Sequence, residues 1–139
     1  MTVTPQQKAA LLILGRLLEN GVFPLVVIAG IRNFLRKLLL VRSFIEQPTP
    51  AYSEGMSYAV FQKGFLPRLK ESMEEAPAQL SGHPFAVYKS FQQAERFTFV
   101  SLQQGLREVL LAEYRLKGSN LGARVVLEKV LFGLLQGKD

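Results

Sequence analysis

Between Pro24 and Ile45, apolar residues recur at alternating steps of four and three, which is the repeat of one face of an α-helix. The stripe consists of Val27, Ile31, Phe34, Leu38, Val41 and Ile45. Pro24 suits the first helical position, because the N–H that proline lacks would have no partner there. Elsewhere in the sequence, no run of β-branched residues alternates with polar residues between turn signals. The sequence therefore predicts an all-α protein, with Phe34 among its buried side chains.

Capping residues, prolines and glycines divide the chain into five to six helices. The predicted helices cover about 5–19, 24–45, 57–75, 84–97, 99–117 and 121–135. The N-cap residues expected for three of them are Thr4, Thr98 and Asn120. Asn20 and Gly21 are expected to end the first helix, and a break in the third is expected near Gly64 and Pro67. The predicted fold is a five- to six-helix bundle.

The composition is that of a globular chain, with 48% hydrophobic and 20% charged residues among 139. This length is enough for one core, so residues 1–139 are predicted to form a single domain. The absence of cysteine excludes disulfides and thiolate metal sites and favours a cytoplasmic chain. Residues 1–5 lack the features of a secretory signal. The longest uncharged apolar run, residues 22–31, is far shorter than the roughly 20 residues that span a bilayer, so no membrane partner is expected.

The sequence lacks the residue patterns of common enzyme classes. Gly-Lys occurs only at Gly137 and Lys138, with no helix after it to bind a phosphate. His83 stands directly before a proline, without Cys, Asp or Glu at ligand spacing, which favours a role at the start of a helix. Asp139 is the only aspartate and is terminal, so a Ser-His-Asp triad is not expected. One small acidic cluster is predicted to be solvated and not to bind a cation: Glu71, Glu74 and Glu75. We therefore predict a chain with no catalytic residue, no metal and no cofactor.

Three segments between residues 83 and 135 form a more specific pattern: HPFAVYKSFQQAERFTFVSL, LREVLLAEYRLKGSN and VVLEKVLFGLL. Their order and spacing resemble the C-terminal domain of the delta subunit of bacterial DNA polymerase III. The positions that carry the resemblance are His83-Pro84-Phe85, Ala94-Glu95-Arg96, Thr98, Glu113, Lys117 and Leu127-Glu128. Glu113 stands where the family commonly has Asp, which keeps the charge. The segment AALLILGRLLENGVFPLVVIAGIRNFLRKLLL is similar to the helical pair that opens the same domain.

The resemblance implies a function in assembly. In this family the complete subunit has two N-terminal domains with an AAA+-like fold, one of which opens the sliding clamp. The helical domain follows them and joins its counterparts in a pentameric collar. The resemblance thus implies that this chain is part of a longer subunit and that its partners are collar domains of the gamma/tau and delta-prime type. Contact with the sliding clamp and DNA, and polymerase chemistry, would belong to the complete subunit and complex.

Glu113 is a charged residue on an apolar helical stripe, between Val109 and Leu116. A buried carboxylate costs several kcal/mol unless it is paired. Lys117 lies one turn later, in the favourable order for an ion pair. We therefore predict a structural pair between Glu113 and Lys117. The variant Glu113→Leu is expected to be tolerated better than Lys117→Leu, because the latter would leave a carboxylate without a partner.

The net charge of +6 and a basic helical face leave two further functions open. Arg32, Arg36 and Lys37 lie opposite the apolar stripe of the second predicted helix. Such a face is usually solvated, but it could also contact DNA phosphates or an acidic partner. The alternatives to assembly are thus an independent helical DNA-binding domain, whose binding would weaken steeply with salt, and an amphipathic membrane-surface module.

The last predicted helix is apolar on two sides. One stripe is expected to face inward: Ala123, Leu127, Val130 and Leu134. Val125 and Phe132 point roughly 160° away from the centre of that stripe. These two residues are therefore predicted to contact a neighbouring subunit. The alternative is that the second helix of the same domain covers Phe132.

Overall fold

The computed structural model describes residues 5–118 and 122–136, and within these ranges the predicted all-α fold is confirmed. The described residues form helices and turns and contain no strand. The helices are α1 (Pro5–Glu19), α2 (Pro24–Ile45), α3 (Tyr58–Val60), α4 (Leu66–Glu71), α5 (Pro84–Glu95), α6 (Phe99–Gly118) and α7 (Ala123–Gln136). Two further elements are a π-helical turn, Phe61–Phe65, and a 3-10 turn, Ala78–Leu80. The predicted caps Thr4 and Asn120 lie outside the described residues. None of the described helices is both long and apolar enough to cross a membrane.

Asn20 and Gly21 end α1 where the sequence predicts. The Gly21 N–H donates to Leu18 O at 3.2 Å, and the Val22 N–H donates to Leu17 O at 3.0 Å. This pair of bonds satisfies carbonyls that the helix leaves free at its end. Gly21 has a φ of +84°, a conformation that glycine adopts without the penalty that a Cβ would bring.

A π-helical turn interrupts the third predicted helix. The structure has α3, the π-helical turn and α4 in direct succession, so the α-helix is interrupted near Gly64 and Pro67 by a wider turn while the chain stays helical. The Leu66 N–H donates to Phe61 O, which is the five-residue bond of a π-helix. In a regular α-helix the ring of Pro67 would meet the carbonyl of Lys63, and a wider turn relieves that clash.

The chain forms two compact units. The first unit comprises the described residues of 1–36 and 100–139, and the second unit comprises residues 37–99. In the first unit α1 packs against α7. Its buried apolar side chains come from all four of its helices: Leu14, Ile28, Leu35, Leu102, Val109, Ala112, Val126, Leu127 and Val130. Gly105 allows helices to approach closely, since a Cβ there would lie 2.6 Å from Leu134 Cδ2 and 3.7 Å from Leu35 Cδ1.

Aromatic rings form the centre of the second unit. Phe91 and Phe61 are fully buried, with ring centroids 5.1 Å apart, and Phe65 lies 5.6 Å from each of them. Tyr52, in the loop after α2, lies 5.5 Å from Phe91 and 5.2 Å from Phe65. Phe61 and Phe65 are the first and last residues of the π-helical turn, and both of their side chains are buried in this core.

The buried stripe of α2 differs from the predicted one. Phe34 is 44% exposed, so its predicted burial is wrong. The buried positions of α2 are Ile28, Leu35, Leu38, Val41 and Phe44. Apolar residues occupy most of the circumference of this helix, so the four-three repeat fits more than one register. Packing against other helices selects the register, and the sequence of α2 alone does not specify it.

The carboxylate of Glu95 on α5 accepts two hydrogen bonds from the loop after α2. The Tyr52 hydroxyl donates to Glu95 Oε1, and the Gly55 N–H donates to the same oxygen at 3.1 Å. Burial, followed by the hydrogen bond and the charge of Glu95, raises the pKa of Tyr52 far above its ordinary value of about 10. The neutral phenol is therefore the form that the folded chain stabilises.

We expect Tyr52→Phe to lower the free energy of unfolding by about 1–2 kcal/mol at pH 7, because Glu95 loses a donor. The difference from the wild type should shrink above pH 10. There the phenol ionises in the unfolded chain while it stays protonated in the folded chain, so rising pH favours unfolding of the wild type alone. Urea melts of both proteins at pH 7 and pH 10.5 measure this. A difference that grows with pH would contradict the assigned pKa direction.

Candidate subunit interface

Glu113 lies on the inner side of α6, and its side chain is only 15% exposed. Arg32 Nη1 on α2 donates to Glu113 Oε2 at 2.7 Å. Lys117 Nζ lies 3.7 Å from the same oxygen, and the Lys117 side chain is 63% exposed. The predicted contact between Glu113 and Lys117 is therefore present. Arg32 makes the shorter contact with Glu113 and has the more buried side chain, although it was predicted to lie on a solvated face.

The pair of Arg32 and Glu113 uses only part of its hydrogen-bonding capacity. Arg32 Nε and Glu113 Oε1 are buried and have no hydrogen-bond partner among the described residues. Leaving buried polar atoms unpaired costs free energy, so one good contact offsets the desolvation of the two groups only in part. We interpret the pair as fixing the register of α2 against α6 more than as adding net stability.

The predicted basic face has two exposed cations instead of three. Arg32 is directed to Glu113, with 24% of its side chain exposed, while Arg36 and Lys37 are exposed. The sequence signal was Glu113, a charged residue within an apolar stripe that needs a cationic partner. The predicted stripe of α2 did not single out Arg32, because it placed Arg32 on the opposite face of that helix.

Exposed apolar side chains are concentrated in the first unit. Fourteen large apolar side chains are exposed in the described residues, and twelve belong to this unit. They are Leu12, Ile13, Leu17, Phe23, Leu25, Val26, Phe34, Val100, Leu110, Leu111, Tyr114 and Val125. Only Val60 and Phe85 belong to the second unit. Large exposed apolar surface on one part of a chain is typical of a protein–protein interaction site.

Four of these side chains form the outer face of α6, which we define as Val100, Leu110, Leu111 and Tyr114. At 100° per residue they lie opposite the buried positions of the same helix. Tyr114 is 76% exposed and Val100 is 59% exposed. This face was not predicted from the sequence, although its apolar residues follow the same helical period as those of the buried side of α6.

A groove of about 190 Å³ lies between α6 and α7. Its lining residues are Glu108, Ala112, Arg115, Val125, Val126, Lys129 and Val130. Val125 is 69% exposed there. Phe132 is only partly exposed and does not line the groove. Of the two residues that the sequence suggested for a subunit contact, Val125 is thus the more accessible.

The polar residues considered for chemistry have simpler roles. The His83 ring accepts a hydrogen bond from the Phe85 N–H at 3.1 Å, so its predicted place at the start of a helix is confirmed. Glu71, Glu74 and Glu75 are all exposed. Within residues 5–118 and 122–136, no group of three or more His, Cys, Asp or Glu side chains is arranged to hold a metal ion.

An all-helical chain with a broad exposed apolar surface has the features of a protein-interaction domain. The family model for the DNA polymerase III delta subunit, C-terminal domain, matches residues 61–134, which is more than half of the chain. The chain therefore belongs to this family, whose members are clamp-loader components, and the resemblance stated from its sequence is confirmed. No curated protein and no solved structure matches the chain.

Proposed function

We propose that this chain is the oligomerisation domain, or collar domain, of a clamp-loader delta subunit. It joins the collar domains of gamma/tau-type and delta-prime-type subunits so that the sliding clamp is loaded on primed DNA. Family membership supports the choice of complex, and the exposed apolar surface of the first unit supports an assembly role. Sliding clamp and DNA would be reached through the complete subunit and complex, and polymerase chemistry belongs to the parent holoenzyme.

The observation that carries the proposal is the outer face of α6 together with Val125 on α7. Burying a large apolar side chain stabilises a complex by roughly 1.5–3 kcal/mol, and several such side chains offset the entropy that association costs. Because these side chains are exposed, they add little to the core of the chain itself and are accessible to a neighbouring helix.

We expect Val125→Asp to weaken assembly with purified clamp-loader subunits by roughly tenfold or more in apparent Kd, because a carboxylate would be buried at the contact. The melting of the isolated chain should change by less than about 0.5 kcal/mol, since Val125 is exposed there. Size-exclusion chromatography with the partner subunits and urea melts give the two readouts.

The matched control is Val60→Asp, the same substitution at a 57% exposed position of the second unit. It should leave assembly unchanged. Equal loss of assembly in both variants would contradict a contact at Val125. If the wild type fails to co-elute with any clamp-loader subunit but binds duplex DNA with steep salt dependence, an independent DNA-binding function replaces the collar proposal.

A further inference from the structure

A second groove, of about 310 Å³, lies between α1 and α7 in the first unit. We call it the α1 groove, and its lining residues are Lys8, Leu11, Leu12, Gly15, Arg16, Glu19 and Arg124. Gly15 keeps it open, since a Cβ there would lie 3.1 Å from Arg124 Nη2. The guanidinium of Arg124 therefore lies across the α1 backbone at a position where a larger residue would displace it.

The cationic side chains of the α1 groove differ in whether they have a carboxylate partner. Arg124 Nε donates to Glu128 Oε1 at 2.9 Å, so this guanidinium already has a carboxylate partner. Lys8 and Arg16 form no ion pair with any described residue, although Glu19 lines the same groove. Two cations of this groove thus have no carboxylate partner within residues 5–118 and 122–136.

Charge and apolar surface alternate along the groove. Lys8, Leu12 and Arg16 are spaced by four residues, so they share one face of α1. Leu12 is 58% exposed between the two cations. At 1.5 Å per residue, the backbone positions of Lys8 and Arg16 are about 12 Å apart, which is just over two helical turns.

We propose that the α1 groove binds an acidic amphipathic helix of a partner protein, with two carboxylates about two turns apart and apolar side chains between them. The cations would pair with those carboxylates, and Leu12 would be covered by the apolar side chains, as in other helix-in-groove complexes. A nucleic acid fits less well. The lining residues include no aromatic ring for base stacking, whereas the exposed Leu12 suits an apolar side chain of a helix.

This surface is distinct from the outer face of α6 and from Val125, so the two proposals can fail separately. The probe is a fluorescein-labelled helical peptide of about 20 residues, with leucine along one face and glutamates spaced by seven or eight residues beside it. Fluorescence anisotropy should show saturable binding to the wild type. A peptide with glutamine in place of each glutamate should bind at least tenfold more weakly.

Arg16→Glu should weaken binding of the acidic peptide more than tenfold. The matched control is Arg36→Glu, which makes the same charge change at an exposed residue of the first unit outside the groove and should leave binding within twofold. Gly15→Leu offers an uncharged block, because it fills the groove, and should also abolish binding. Circular dichroism melts check that the variants remain folded.

Three results would overturn the proposal. The first is equal weakening by Arg16→Glu and Arg36→Glu, which would mean unspecific attraction to a basic chain. The second is tighter binding of a 20-base-pair DNA duplex that Arg16→Glu also removes, which would make the groove a nucleic-acid site. The third is undiminished peptide binding by Gly15→Leu.

Discussion

Replacing Arg32 by methionine is expected to lower the free energy of unfolding by about 2 kcal/mol, because the mostly buried carboxylate of Glu113 keeps only the distant contact with Lys117. This is below the range for fully buried pairs, since part of each side chain reaches solvent. Lys117→Met should cost less than about 0.5 kcal/mol, as Lys117 is mainly exposed. The sequence predicts that Lys117→Leu is tolerated less well than Glu113→Leu, because it indicates Lys117 as the partner of Glu113. In the structure Arg32 is the closer partner, so that reason no longer holds.

A double-mutant cycle distinguishes pairing from packing. Arg32→Met combined with Glu113→Leu replaces both charges by apolar groups and should recover most of the loss, with a coupling energy of about 1–2 kcal/mol. Urea melts of the wild type, both single variants and the double variant supply the four free energies. Additive losses would show that Arg32 acts through its aliphatic stem and not through Glu113.

The largest loss of stability is expected for Phe91→Ala, at about 3–5 kcal/mol. Phe91 is fully buried, and its ring contacts Tyr52, Phe61 and Phe65, so its removal leaves a cavity between three aromatic rings. The substitution also removes one tilted and two edge-on aromatic contacts, which are favourable geometries for ring pairs. Thermal and urea melts measure the change, and the near-ultraviolet circular dichroism of the tyrosines should weaken with it.

Phe85→Ala is the matched control, because Phe85 lies on the same helix but is 38% exposed. Its loss should be about 1 kcal/mol, mainly from its contacts with Tyr58 and Tyr88. Comparable losses from the two variants would mean that the second unit is not centred on Phe91. A loss under 1 kcal/mol for Phe91→Ala would mean that the aromatic core repacks.

The functional proposals rest on different parts of the first unit. Val125 and the outer face of α6 are apolar and suit assembly with another collar domain. The α1 groove combines Lys8 and Arg16 with Leu12 and suits an acidic helix. Arg36 serves as a control for the groove because it is an exposed cation outside it.

The family of this chain was accessible from sequence because its segments keep their order and spacing from His83 to Leu135. Local features were also accessible. Gly21 ends α1 because the required backbone conformation favours glycine, and the His83 side chain caps α5 through a residue only two positions away. Such features depend on neighbours within about one helical turn, which the sequence lists directly.

The tertiary structure decided what depends on residues far apart in the chain. Arg32 and Glu113 are separated by 81 positions, and neither helix alone indicates that they meet. The exposure of Phe34 and the burial of Leu35 follow from which side of α2 its neighbours cover, because both sides of this helix are apolar enough to be buried. The α1 groove likewise exists only because α7 brings Arg124 beside Gly15. Helix boundaries are set by short-range capping and backbone preferences, whereas helix faces are chosen by packing between helices, for which several registers of an apolar sequence have similar energies.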